Sequence, residues 1–466
     1  MVELEFYGAA QTVTGAMHLL HFSDGAVALD CGLFQGRRAW AREMNLSFPF
    51  PPKQVRTVLL SHAHIDHSGK IPYLFRYGFD GRVLATSATC DLCSLMLADS
   101  AHIQEEDAHY WNTKRAKSPA DKIEPLYTID DARRAAEHFR GVQYNQAVPF
   151  ADGCTATFLE AGHILGSACV LLEINRSEKI RLLYTGDLGR FDMPILRNPA
   201  NPLPKVDYLI TESTYANRRH SDVNAMKGQL VRIINETRDA GGKVIIPSFS
   251  VGRTQHLAYW LSHAIADGSL APLPIYVDSP LSVHVTGVFK QHHECYDREA
   301  RDFWREEGDV FGRGAVTYIT DVAESKALHR LKQPCVIISA SGMAEAGRIL
   351  HHLKNNVESG RNAVVIVGYQ AQHTLGRRIV ERRTEIKIYG KRYKLRARVE
   401  VLNGFSAHAD ADDFARLLGP IAPGLRAAFV VHGEGKQLHA MKKILAELGC
   451  RNVEAPDPGA RFSLLG

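Results

Sequence analysis

No apolar run in this 466-residue chain approaches the ~18–20 residues that cross a bilayer. The opening "MVELEFYGAA" is acidic from its third residue and lacks a basic n-region, so no secretory signal is read there. Internal repeats and low-complexity segments are also missing. With 45% hydrophobic and 23% charged residues, disordered and fibrous classes are excluded. Eight cysteines scattered over this length do not make a disulfide framework. The one CxxC, Cys90 and Cys93 in "TCDLCSLM", lacks a second pair at zinc-knuckle spacing and reads as two ordinary helix cysteines. The expectation that remains is a globular chain of two or three domains, cytoplasmic and without a membrane partner.

The net charge of +5 is unevenly placed. The segment 377–400, "RRIVERRTEIKIYGKRYKLRARVE", holds ten Lys/Arg against three Asp/Glu, which leaves the rest slightly acidic. A basic patch on a near-neutral body suits a polyanion. A solvated edge hairpin, protected by lysine, explains it equally well.

The first part of the chain alternates short strands with glycine turns: "ELEFYG", "MHLLHF", "AVALDCG", "RTVLLSHAH", then "TATFLEAGHI", "ACVLLEI", "IRLLYTGD" and "VDYLITES". Helical periodicity appears in "ATCDLCSLMLADSAHIQEEDAHYW" and "IDDARRAAEHFRG". From about Tyr215 strands and helices alternate regularly. "NAMKGQLVRIINETRDAGG" sets Met226, Leu230, Ile233 and Ile234 on one face, and "KVIIPSFS", "PIYVDSP", "PCVIISASG" and "NAVVIVGYQ" read as buried parallel strands. After Arg396 the first texture returns, as expected for one domain inserted within another.

Chemistry concentrates in "SHAHIDHSGK". His62 and His64 lie two apart at a strand end and project to one side. Asp66 and His67 follow in the turn. Imidazoles and a carboxylate so crowded point to a metal, zinc before iron or manganese. Such a cluster needs partners at other strand ends. His163 in "EAGHILGS", Asp187 in "LYTGDLG" and His432 in "FVVHGEG" each follow a strand and adjoin glycine, where backbones approach closely, and Asp30 in "VALDCG" has the same strand-end position.

This order of motifs resembles the metallo-β-lactamase fold. "TEST" with Glu212, "FSAHAD" with His408 and "VVHGEG" with His432 resemble the motifs of its β-CASP ribonucleases, and "PSFSVGRTQ" and "SASGM" resemble loops of that family. The resemblance covers nearly the whole chain. It implies an α/β chain: an αββα sandwich (1–212 and 385–466, the latter with the RNA-specificity motifs) interrupted by a parallel-sheet β-CASP domain (213–384). It implies two zinc ions, one held by His62, His64 and His163, the other by Asp66, His67 and His432. Asp187 would bridge them, and Asp30 would orient a ligand imidazole through its other N–H.

The implied reaction is hydrolysis of RNA, with activated water attacking phosphorus in line and leaving 5′-phosphate and 3′-hydroxyl ends. Asp66 and Asp30 would serve the metal side of that chemistry. His408, aimed by Glu212, would protonate the leaving oxygen. Ser250, Gly252 and Arg253 would meet phosphate at a helix start, with Tyr369 and Arg377 lining the cleft between domains. RNA is the expected partner, endonucleolytic and 5′-to-3′ exonucleolytic cutting both stay open, and a homodimer is an allowed assembly. A DNA-processing nuclease is the rival of the same family, against which His432 stands because DNA-acting relatives usually carry valine there. A non-catalytic RNA-binding scaffold would have lost ligands that are all present here. A small-molecule hydrolase would leave the Glu212–His408 pair without a task.

Overall fold

The computed structural model describes residues 2–114, 118–176, 178–312, 314–368, 370 and 374–464. It divides into two compact units. The first comprises Met1–Asp192, Arg197–Arg219 and Ala407–Gly466, and the second Met193–Leu196 and His220–Ser406.

The first unit is built on two seven-stranded sheets. One runs Arg461–Ser463, Glu3–Gly8, Met17–Phe22, Gly25–Leu29, Val55–Leu59, Arg82–Thr86, Phe139–Val142. The other runs Val453–Glu454, Ala427–Val430, Tyr208–Thr211, Lys179–Tyr184, Ala168–Asn175, Cys154–Glu160, Ala147–Ala151. Alternation fixes which side chains face inward. Leu4, Phe6, Leu20, Val27, Leu29 and Leu59 of one sheet meet Phe158, Val170, Leu172, Leu182, Ile210 and Phe429 of the other in a common core. The outer face of the second sheet, with Leu171, Leu183, Leu209 and Ala428, is covered by the helices Ala411–Leu418 and Gly435–Glu447 through Phe414, Leu417, Leu438 and Met441. The long helix Ser87–Lys114 packs on the strands Arg82–Thr86 and Phe139–Val142 of the first sheet, burying Leu92, Cys93 and Leu97. This is the expected αββα sandwich. No helix among the described residues is long and apolar enough to cross a membrane.

In both sheets the strands that matter are parallel neighbours. Gly25–Leu29 pairs parallel with Val55–Leu59. Lys179–Tyr184, Tyr208–Thr211 and Ala427–Val430 lie side by side, also parallel. Parallel neighbours end at the same edge, so the turns after them are brought together.

The second unit holds an all-parallel six-stranded sheet, ordered Val316–Ile319, Ile275–Asp278, Val336–Ser339, Val244–Pro247, Ala363–Ile366, Arg398–Val401. The expected apolar face of the helix Val223–Asp239 is present, with Met226, Leu230, Ile233 and Ile234 all buried. The unit's border differs from the expected 384/385. Arg398–Val401 adds to this sheet beside Ala363–Ile366, so the chain stays with the second unit to Ser406. The change of texture after Arg396 falls inside this compact unit. None of the eight cysteines, all among the described residues, is in a disulfide, Cys90 and Cys93 included.

Candidate metal centre

The strand Val55–Leu59 ends in a turn that carries His62 and His64, and a short helix, Ile65–Ser68, carries Asp66 and His67. Gly32, from the turn after Gly25–Leu29, lies against this loop. A Cβ on it would fall on the Asp66 carbonyl oxygen, so glycine is required for the close approach. Asp187, Glu212 and His432 follow the three parallel strands of the second sheet by one to three residues. His163 follows Cys154–Glu160. His408 arrives differently. Its segment bridges to the Asp187 turn, with the Ala409 N–H on the Leu188 carbonyl at 2.7 Å and a β-bridge between Gly189 and His408.

Four overlapping groups of metal-competent atoms result, each with its ligand atoms within 4.8 Å of one another: His62, His64, His163 and Asp187; Asp66, His67 and His432; Asp30, His62 and His67; and Asp187, Glu212 and His408. His62 Nε2 lies 3.1 Å from His64 Nδ1, and His163 Nε2 lies 3.3 Å from it. His67 Nε2 faces His432 Nε2 at 3.2 Å. Asp187 spans the groups. Its Oδ2 is 3.5 Å from both His62 Nε2 and His163 Nε2, and its Oδ1 is 3.3 Å from His67 Nε2.

The donor set fits divalent metal. Imidazole nitrogens are turned on each other with too few protons to bond every pair, and among the described residues Asp187 Oδ1 is buried with no well-aligned hydrogen bond. Burial, then the neighbouring histidines, holds His62 and His163 well below the usual imidazole range, the neutral form that binds zinc. Burial also brings His64 down to about 4. Burial acts against the His67 cation too, but Asp187 and Asp30 outweigh it and push that group up, a proton that a metal would displace.

Behind the centre sits Asp30, fully buried. Its Oδ2 accepts from His67 Nδ1 at 2.6 Å, from the Ser61 hydroxyl at 2.7 Å and from the Tyr184 hydroxyl at 2.6 Å, while Oδ1 accepts from the Ser61 N–H at 2.6 Å. Ser61 and Tyr184 went unremarked in the sequence, as did Thr214, whose hydroxyl is 3.0 Å from His432 Nδ1. Thr214 lies in the same "TEST" run as Glu212, and that run was its only signal.

Glu212 is buried and takes the Leu188 N–H on Oε1 at 2.7 Å. The same oxygen is 3.1 Å from His408 Nδ1. Burial disfavours the His408 cation, yet the Glu212 charge prevails and lifts the group to about 9.

Among the residues expected to grip phosphate, Ser250, Gly252 and Arg253 stand together where the helix Arg253–Ala266 begins, with Gly252 at φ 76°. The N–H groups of Arg253 and Thr254 already bond the carbonyls of Val251 and Phe249. Arg253 is buried, its guanidinium 5.7 Å from the Phe405 ring centroid. Arg377 pairs with Glu381 at 2.9 Å. Tyr369 lies outside the described residues. His352 is buried, with its Nε2 2.6 Å from Asp278 Oδ2.

A fold of this kind with a His/Asp cluster at the strand ends defines a metal-dependent hydrolase. Comparison with known families makes that specific. Residues 19–189 match the metallo-β-lactamase superfamily domain, 254–379 the Beta-Casp domain, and 392–456 the Zn-dependent metallo-hydrolase RNA specificity domain. Ribonuclease TTHA0252 of Thermus thermophilus is 36% identical over 95% of this chain and 96% of its own length. An RNase J-like protein of Methanocaldococcus jannaschii is 30% identical over 94% of each chain. The transcription termination factor FttA of the same organism is 31% identical over 93% of this chain and 67% of its own. A solved structure of a protein of unknown function from Enterococcus faecalis V583 shares the fold, with a TM-score of 0.57 at 13% identity and 99% coverage of both chains. The chain belongs to the β-CASP family of zinc-dependent metallo-β-lactamase-type hydrolases, the family of these ribonucleases.

Proposed function

We propose that this protein is a zinc-dependent ribonuclease that hydrolyses RNA phosphodiesters to 5′-phosphate and 3′-hydroxyl ends. The observation that carries the reading is the position of Asp187, with one oxygen toward His62 and His163 and the other toward His67. That supports two zinc ions. His62, His64 and His163 would hold one, Asp66, His67 and His432 the other, and Asp187 would bridge them. Bound zinc supplies a Lewis acid that lowers the pKa of water and draws charge from the phosphate oxygens.

The chain's own residues do the rest. Asp30 accepts the His67 Nδ1 proton and thereby turns the Nε2 lone pair inward. Thr214 sets the His432 ring in the same manner from Nδ1. Glu212 stabilises the protonated His408 through Nδ1 and is itself pinned by the Leu188 amide. Nδ1 is thus committed, and His408 would pass its proton to the leaving ribose oxygen from Nε2. RNA is favoured over DNA by the match of 392–456 to an RNA specificity domain and by the ribonuclease among the relatives.

Matched RNA and DNA oligonucleotides, labelled at either end and incubated with purified protein, test the proposal. RNA is expected to be cut, cutting to stop with chelator, and zinc to restore it. Internal fragments would indicate endonuclease activity, and mononucleotides an exonuclease. Preference for DNA, or no bound zinc by elemental analysis, would overturn the reading.

A further inference from the structure

The most strongly charged segment of the chain takes no part in the metal centre. Within 377–400 the structure forms a two-stranded hairpin, Glu385–Ile388 with Lys391–Lys394. Its inner face is settled by Ile386 and Ile388, which are buried in one core with Val364, Ile366 and Val399. Pairing then decides the other face. Lys387 stands opposite Arg392, and Glu385 opposite Lys394. Two like charges directly across a strand pair work against the hairpin. Glu385 offsets Arg392 alone, at 3.4 Å. Lys387, Lys391, Lys394 and Arg396 are all exposed, and none of them has an ion pair among the described residues.

The tip adds an aromatic that folding does not call for. Tyr389 and Gly390 form a two-residue turn in which both φ angles are positive, 48° and 80°. Such turns favour asparagine at the first position, and a tyrosine there is strained. The residue is nevertheless 56% exposed. The His351 ring lies 5.1 Å from it and Lys354 Nζ 6.0 Å from its centroid. An exposed ring among cations is the combination by which proteins hold unpaired nucleic acid, stacking on bases and pairing with phosphates. A membrane surface would ask for more apolar area, and Tyr389 is the one large exposed hydrophobic of this hairpin among the described residues.

We propose that the hairpin tip docks single-stranded RNA, an unpaired base stacking on Tyr389 while Lys387, Lys391, Lys394 and Arg396 take the neighbouring phosphates. This rests on the ribonuclease reading, and it makes the hairpin a substrate-holding surface separate from the metal ligands.

The test uses the full-length zinc-loaded protein and a fluorescent, unstructured phosphorothioate RNA, followed by anisotropy, together with cutting of the ordinary RNA. Tyr389→Asn suits the turn and is expected to keep or raise Tm. It should nonetheless weaken RNA binding about fivefold or more, the low end for base–aromatic stacking. Tyr389→Trp should bind at least as well as the native protein. The Lys387→Ala/Lys391→Ala double variant should lower the slope of log K against log salt by about 1.4, near 0.7 per phosphate contact on a single strand. Unchanged affinity in Tyr389→Asn, with the native protein still cutting RNA, overturns the docking site and leaves the nuclease reading standing. If Tm and affinity fall together in Tyr389→Asn and Tyr389→Trp does not restore binding, the tyrosine is structural and the proposal fails. Loss of self-association in these variants at unchanged RNA affinity would assign the tip to a contact between copies, and that too overturns it. If the native protein neither binds nor cuts RNA, both readings fall.

Discussion

Replacing Asp30 by asparagine should damage the metal centre without touching a ligand. Four donors converge on the native carboxylate: the Ser61 N–H on Oδ1, and His67 Nδ1, the Ser61 hydroxyl and the Tyr184 hydroxyl on Oδ2. An amide offers one acceptor and one donor. With its oxygen toward His67, its NH2 meets the Ser61 N–H, which cannot turn away. With its oxygen toward Ser61, its NH2 meets His67 Nδ1, and the imidazole must shift its proton to Nε2. That second state caps the nitrogen facing His432 and Asp187. Either way a buried donor loses its acceptor, at about 1–3 kcal/mol. Asp30 has φ 61°, which asparagine tolerates, so backbone strain adds little. Changes at such supporting groups lower metal affinity about 10–100-fold, or roughly 1.4–2.8 kcal/mol. Zinc competition against a chromophoric chelator measures this directly, with a thermal melt of the metal-free protein as the stability control. Affinity and Tm both equal to the native values would refute the argument that Asp30 selects the His67 tautomer.

His408→Ala is expected to lower RNA cleavage about 10²–10⁴-fold, the usual range for a general acid, while zinc content stays native; a variant that cuts normally removes the assigned acid. Gly32→Ala should lower both Tm and zinc affinity, because the new methyl group must displace the Asp66 carbonyl; an unchanged melt and zinc titration would show that the loop gives way freely. Chelation should lower Tm, and added zinc should restore it in a concentration-dependent way, since a ligand bound only to the folded state stabilises it by mass action. Asp278 is fully buried and accepts from His352 Nε2, Ser325 and Arg348 at 2.6, 2.6 and 2.7 Å. Burial pushes its carboxyl up, but those hydrogen bonds outweigh it and hold the group below the ordinary range. A depressed carboxylate stabilises the fold above the unfolded-state pKa, and that contribution is lost as pH falls through the folded value. Asp278→Asn should therefore cost roughly 3 kcal/mol near neutrality, with the gap to the native protein narrowing below about pH 4; urea melts across that range would show a constant gap if the cluster contributed no such linkage.

Most of the centre was legible in the chain because its residues sit where strands end. His62, His64, Asp66 and His67 formed a cluster by themselves, and His163, Asp187 and His432 each followed an apolar strand beside glycine. Turn chemistry is local, and local rules suffice for it. Ser61, Tyr184 and Thr214 stayed hidden because each is a common residue whose work depends on a partner from another element. The extent of the compact second unit was hidden for a similar reason. The strand Arg398–Val401 belongs with whichever sheet its backbone joins, and hydropathy does not name the neighbour.

The sequence by itself determined the kinds of chemistry available, the strand-and-turn alternation and the strongly basic character of 377–400. The tertiary structure alone decided that Asp187, Glu212 and His432 end three parallel neighbours, that His408 reaches Glu212 by pairing with the Asp187 turn, and that Tyr389 is held outward. Hydrogen bonding between distant strands sets which turns share an edge, and that pairing is a property of the whole sheet, not of any segment read alone.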